Sequence, residues 1–219
     1  ENIVALCDVD ERRAAKTFDQ YPNASKFADF RVMLDKMGKE IDAVIVATPD
    51  HTHAVATMDA IQRGKHVYTE KPLTHSLWEA RQLTEAARKY GVATQMGNQG
   101  TASNGFRETV EVIRSGVLGE VREVHIWTNR PVWPQYTAVP QDKPPVPEGF
   151  QWDLWLGPSR DRPFHPYYTH TVYRGWYEFG GGSMADMGHY SLWTVFEALK
   201  LGKPTIIEPN FNHVCDIDD

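Results

Sequence analysis

The feature that most constrains this chain is an alternation. From residue 1 to about 129, short β-branched runs take turns with helical patterns. Parallel strands cannot be joined by tight hairpins, so each pair needs a crossover, and a chain written this way builds βαβ units around a parallel sheet. The clearest strand is "IDAVIVATP", a nearly continuous apolar run bounded by Asp42 and Pro49. Such a run suits a strand covered on both faces. "NIVALCDVD" reads as an earlier strand, and "DERRAAKTF" starts a helix with Asp10 as its N-cap. "DFRVMLDKM" and "HTHAVATMDAIQRG" are further helices, the second closed by Gly64, and "HVYTEKP" is the next strand. In "SLWEARQLTEAARKYG" the Ser76/Glu79 spacing predicts a capping box and Gly91 a C-terminal stop. "VATQMGNQ" gives a strand and loop, and "GFRETVEVIRSG" a helix.

The pattern changes near residue 119, where "GEVREVHIWTN" alternates like a strand with one wet face. This places a domain boundary between 118 and 119, with units spanning 1–118 and 119–219. Residues 131–149 hold six of the 14 prolines and predict a loop, a candidate lid. Ten aromatic residues follow between Phe150 and Phe179. They suit a core or an interface better than a sugar-stacking surface. A further strand is expected to begin at "PTIIEPNF".

Composition excludes several functions. At 41% hydrophobic the chain can bury a core, while a formal charge of −6 without dense Lys/Arg clusters argues against nucleic acid or an anionic membrane as partner. No apolar stretch approaches the roughly 20 residues of a membrane span. Cys7 and Cys215 lack metal-ligand spacing and read as ordinary thiols. His51 and His53, two apart with no third ligand nearby, suit packing better than a metal, and no metal site is expected.

Chemistry concentrates at strand ends. Asp8 ends an apolar strand before a helix, where an acid can bind a ribose diol or simply form a turn. Thr48, Pro49 and Asp50 follow the strongest strand, at the edge where open α/β sheets bind ligands, and His53 could face the same pocket. Glu70, Lys71 and Pro72 close the next strand, and Asn98 the one after. Lys71 reads either as a group that bonds a substrate oxygen or as an exposed ion-pair partner. In "EFGGGSMADMGHYSLW", Asp186 and His189 stand three apart on one helical face, a pairing that can serve acid–base chemistry or capping, with Tyr190 beside them. The formal G-x-G-x-x-A match, Gly180 to Ala185, follows "GWYEF" outside the parallel-sheet region and is rejected as a phosphate loop.

Together, "ALCDVDERRA", "ATPDHTH", "EKPLTHS", "MGNQG", "SGVLGEVREVH" and "GGGSMADMGHYSLW" occur in the order of the Gfo/Idh/MocA oxidoreductases, which the chain resembles over essentially its whole length. The resemblance implies an α/β fold: a Rossmann-type domain binding NAD, followed by an α+β domain with an open, mainly antiparallel sheet. It implies Lys71 near nicotinamide and substrate, Asp186 orienting the base, and a contribution to the cofactor site from Asp8, Thr48, Pro49, Asp50, His53, Glu70, Lys71, Pro72 and Asn98. The family's histidine stands four residues after the aspartate, where this chain has Tyr190, so His189 or Tyr190 is the acid/base, with His189 favoured. Asp8 favours NAD over NADP, because a carboxylate repels a 2′-phosphate.

Relative to the family, the opening strand and glycine loop and the later part of the second domain are absent. The chain is therefore expected to be an internal piece, with weak or no cofactor binding by itself. The expected activity of the complete protein is oxidation of a secondary hydroxyl of a sugar, polyol or glycoside. Two alternatives are a glycosidase or lyase using transient sugar oxidation, and a non-catalytic sugar-binding protein of the same fold. Expected partners are a small sugar or polyol and, at full length, further copies of the chain; the compartment, cytoplasmic or exported, is left open.

Overall fold

The computed structural model describes residues 1–134, 136 and 138–210. Cys215 and the end of the strand expected at "PTIIEPNF" lie outside them. Among the described residues, five strands run parallel in two sheets. β1 (Ala5–Cys7) pairs with β2 (Ser25–Phe27), and β4 (His66–Glu70) lies between β3 (Ala43–Val46) and β5 (Thr94–Gly97). In register, Val46 stands opposite Thr69, and Glu70 opposite Gly97, so the carboxyl ends of β3, β4 and β5 form one edge.

Helices α1 (Glu11–Gln20), α2 (Phe30–Met37), α3 (His53–Gln62), α4 (Leu77–Tyr90) and α5 (Asn104–Arg114) start where side chains or turns satisfy their first amides. The Asp10 side chain accepts the Arg12 N–H. Ser76 and Glu79 form the reciprocal capping box, and Gly91 ends α4 at φ +66°, a left-handed conformation that costs glycine little. A short turn over Asp50–Thr52 leads into α3, so the helix starts two residues later than the apolar pattern suggests. Leu34, Val46, Ala60, Ile61, Val67 and Leu83 lie in one core, against which residues of both sheets pack. Burial of each large aliphatic side chain there contributes roughly 1.5–3 kcal/mol.

After α5 the chain departs from expectation. Residues 119–130 are mostly exposed and form no ladder among the described residues, and 204–210 form none either. Alternating side chains favour a strand only when a neighbour accepts its backbone bonds, and no described residue supplies one here. The following segment instead folds around aromatics: α6 (Trp152–Leu156) and two short turns bury Phe150, Trp152, Trp155, Phe164, Tyr168, Tyr173, Trp176 and Phe179 in a second core. The long helix α7 (Gly182–Leu199) follows.

This second unit docks on the carboxyl edge of the sheet. The Gln151 N–H donates to the Val9 carbonyl at 2.8 Å and the Glu11 N–H to that of Gly149 at 3.0 Å. The Tyr173 hydroxyl donates to Asp50 Oδ1 at 2.7 Å.

Candidate active site

Lys71 leaves the end of β4 and meets α7, 115 residues later in sequence. Its Nζ donates to Asp186 Oδ1 at 2.8 Å and to the Asp186 carbonyl at 2.7 Å. Both side chains are nearly buried, at 12% and 11% exposure, so removing either partner would leave the other charge poorly solvated. Nζ also stands 5.1 Å from the centroid of the Tyr190 ring. The strand fixes the root of the lysine and the helix fixes its tip.

Two further cations share the carboxylate. Arg130 Nε donates to Asp186 Oδ2 at 3.2 Å, and Arg174 Nε lies 3.5 Å from Oδ1. Burial alone would push the Asp186 carboxyl up, but the bond and charge of Lys71, with Arg174 and Arg130, outweigh it and hold the group below its usual range. These partners also change the role expected for Asp186. Among the described residues no hydrogen bond joins it to His189, because both its oxygens are drawn to cations rather than to an imidazole.

His189, on the next turn of α7, lines a cavity of about 290 Å³ with Tyr190, Trp193, Thr101, Ser103 and Phe106. Its ring packs against Tyr190 and Trp193 at centroid distances of 5.6 and 6.0 Å. Burial, and then the charge of Lys71, lower its pKa and so favour the neutral imidazole.

The remaining residues separate into two groups. Asp8, Thr48, Lys71 and Asn98 stand at the ends of β1, β3, β4 and β5, or just beyond them. Asp8 spends Oδ1 on the Asp10 N–H at 2.8 Å, and burial, partly offset by that bond, raises its pKa. Thr48 accepts from the Thr52 hydroxyl, and Asn98 Oδ1 from the Gln95 amide. Glu70 packs on Gly97 so closely that a Cβ there would sit 2.5 Å from Glu70 Oε2.

Asp50 and His53 are consumed internally. Asp50 is 3% exposed and takes the Tyr173 hydroxyl. His53 is 1% exposed, with Nδ1 2.6 Å from the Pro72 carbonyl and Nε2 2.7 Å from the Thr48 carbonyl. Neither ring nitrogen is left for a ligand, so His53 ties the turn after β3 to the Lys71 loop instead of facing the pocket. Pro49 and Pro72 contribute backbone to the same two turns.

The sequence reading missed Arg130 and Arg174. A guanidinium set in the aromatic run "TVYRGWYEF" was the available signal, since such a group needs a partner once buried.

Comparison with known proteins places these features. The model for "Oxidoreductase family, NAD-binding Rossmann fold" matches residues 1–98, and that for "Oxidoreductase family, C-terminal alpha/beta domain" matches residues 104–205. The chain belongs to the Gfo/Idh/MocA oxidoreductase family. It is 31% identical over 119 residues to D-glucoside 3-dehydrogenase of Escherichia coli, a match covering 54% of this chain and 33% of that one. It is 34% identical over 95 residues to 2,7-anhydro-N-acetylneuraminate hydratase of the same organism, covering 43% and 25%. Among solved structures, an inositol dehydrogenase homolog from Azotobacter vinelandii, complexed with NADH and myo-inositol, matches at 30% identity with a TM-score of 0.50, covering 57% and 35%. The matched stretches span 24% to 41% of the curated relatives' own lengths.

The residues present fit two ends of the family's cofactor. Asp8 retains Oδ2 for a ribose diol, and the Lys71 loop offers a cation at the strand end. Arg12 is engaged through Nε and Nη2 by Asp10, at 3.0 and 2.9 Å. Among the described residues no glycine loop joins a strand to a helix for the pyrophosphate.

Proposed function

We propose that the protein of which these residues form part oxidises a secondary hydroxyl of a sugar, polyol or glycoside with NAD. The observation that carries this reading is the Lys71–Asp186 pair, which fixes an ammonium group at the carboxyl end of β4, 5.1 Å from the ring of Tyr190, which with His189 lines an open cavity. In the proposed assignment Asp8 and Thr48 flank the adenosine side, and Glu70, Lys71, Pro72 and Asn98 the nicotinamide side. The change of unit falls near residue 118. NAD, when bound, supplies the acceptor for the hydride from the carbon bearing the hydroxyl.

The chain's own residues handle the proton. Lys71 Nζ, with three protons to donate, bonds the substrate oxygen while keeping Asp186, and so lowers the cost of negative charge on that oxygen. His189, whose neutral form burial and Lys71 favour, accepts the hydroxyl proton, and Tyr190 shields the lysine on one side. Asp186 is a positioning residue that orients Lys71.

The test uses the full-length gene product with NAD and a panel of sugars, polyols and glycosides. Formation of reduced nicotinamide that is lost in Lys71→Ala and Lys71→Met supports the assignment, and turnover that survives both removes it. The similarity to a hydratase favours a second reading, in which the sugar is oxidised only transiently. Substrate conversion without net NADH identifies that case.

A further inference from the structure

The charges around Lys71 do not balance. Three cationic side chains, Lys71, Arg130 and Arg174, converge on a single carboxylate, Asp186, in a place where each is at most one-third exposed. The chain as a whole is acidic at −6, so this is a local reversal of sign and not part of a general basic character. Surplus positive charge that is partly withdrawn from water favours an anionic partner. Asp186 cannot fill that role alone.

The two guanidiniums are also only half used. Each reaches Asp186 through Nε, and among the described residues no hydrogen bond engages the Nη atoms of either. They are held firmly nonetheless. Arg174 lies 4.6 Å over the Tyr173 ring, whose hydroxyl is tied to Asp50, and Gly180, just before α7, packs on its backbone so tightly that a Cβ would stand 2.7 Å from Arg174 Cα. The Arg130 backbone N–H donates to the Thr128 hydroxyl at 3.2 Å, and its guanidinium is held through Nε by Asp186. Among the described residues, the neighbouring Trp133 indole, which packs on Gly175, is a further donor without a hydrogen-bond partner. Donors therefore outnumber acceptors around Asp186, an arrangement that suits a ligand acceptor with negative charge.

We propose that the substrate is an acidic sugar, whose carboxylate is taken by the free Nη groups of Arg130 and Arg174 while its hydroxyl lies at Lys71. The planar fork of arginine matches a carboxylate in two parallel bonds, which a hydroxyl cannot reproduce. Arg130 and Arg174 are thereby specificity-determining residues, while Lys71 retains the role given above. The inference rests on the proposed sugar site at Lys71 but not on turnover there.

The experiment is a binding measurement on the full-length protein, by titration calorimetry with NAD present at saturation. The probes are D-glucuronate, D-glucose and D-glucose 6-phosphate. The expected result is that D-glucuronate binds at least tenfold more tightly than D-glucose, and that Arg130→Gln or Arg174→Gln narrows this ratio to about threefold or less. Arg130→Lys, which keeps the charge and loses the fork, should retain only part of the preference. Equal affinity for the two sugars, no binding of D-glucuronate, or a preference untouched by both glutamine variants overturns the proposal. Tighter binding of D-glucose 6-phosphate than of D-glucuronate overturns the carboxylate assignment. Because binding is read without reaction, a protein that prefers D-glucuronate but makes no NADH upholds this inference and counts only against the dehydrogenase reading.

Discussion

His51 offers a test of how tightly the second unit is seated on the sheet edge. The side chain is 2% exposed and packed between Trp155 and Phe179, at ring-centroid distances of 5.0 and 5.1 Å. Its Nε2 is 3.0 Å from the Trp155 carbonyl, which selects the tautomer with the proton on Nε2, and Nδ1 has no hydrogen-bond partner. A proton added at Nδ1 would place a charge on this buried ring. Burial accordingly lowers the pKa to about 4, with the backbone carbonyls of Trp155 and Phe179 offsetting only part of that effect. With the folded pKa depressed, the unfolded chain binds the extra proton first. Stability is full above about pH 6.5 and falls as the pH drops toward 4, with a total loss from this group of roughly 3 kcal/mol. Between pH 6 and 4.5 the slope approaches about 1.4 kcal/mol per pH unit. His51→Gln keeps an N–H for the Trp155 carbonyl and removes the titration. Urea unfolding followed by tryptophan fluorescence at half-unit pH steps should show a shallower curve for the variant by that slope. If the two curves stay parallel from pH 6 to 4.5, the ring is not held neutral by burial and the reasoning fails.

Three other outcomes are expected. Tyr173→Phe leaves the buried Asp50 carboxylate without its 2.7 Å donor and should lower stability by roughly 1.5–3 kcal/mol in the same unfolding assay. Gly180→Ala drives a Cβ against the Arg174 backbone, which cannot yield as a side-chain tip could; a loss of about 1–3 kcal/mol is expected, together with a weaker hold on Asp186 that calorimetry with acidic sugars would register. Asp8→Ala should weaken NAD binding to the full-length protein and reduce its preference over NADP; unchanged affinity and preference would remove Asp8 from the cofactor site.

Legibility in the sequence followed local signal. β3 was readable because an apolar run with a proline stop has few alternative fates, and α4 because its capping box and Gly91 are both local chemistry. β2 was not, since "SKF" is three residues long, mostly exposed, and held by pairing with β1 more than by its own side chains. The 119–130 segment shows the opposite failure: good alternation does not make a strand without a partner. At the site, Lys71, Asp186 and His189 stood out by residue type and position, but the charge relation among them did not. Arg130 and Arg174 come from separate loops 44 positions apart, and only the fold brings them to one carboxylate. His53 was assigned outward by its place after a strand, whereas its neighbours turn two carbonyls toward it.

The seating of the second unit also bears on how a ligand arrives. Val9 with Gln151, Asp50 with Tyr173, His51 with Trp155, and Lys71 with Asp186 fasten the two cores along the strand ends at four separate places. A clam-like swing of one unit away from the other would have to break the bonds at all of them together, two of them buried. Traffic into the crevice is therefore a matter of side chains and short loops yielding locally, and the backbone of the two cores should superimpose closely before and after a ligand is bound.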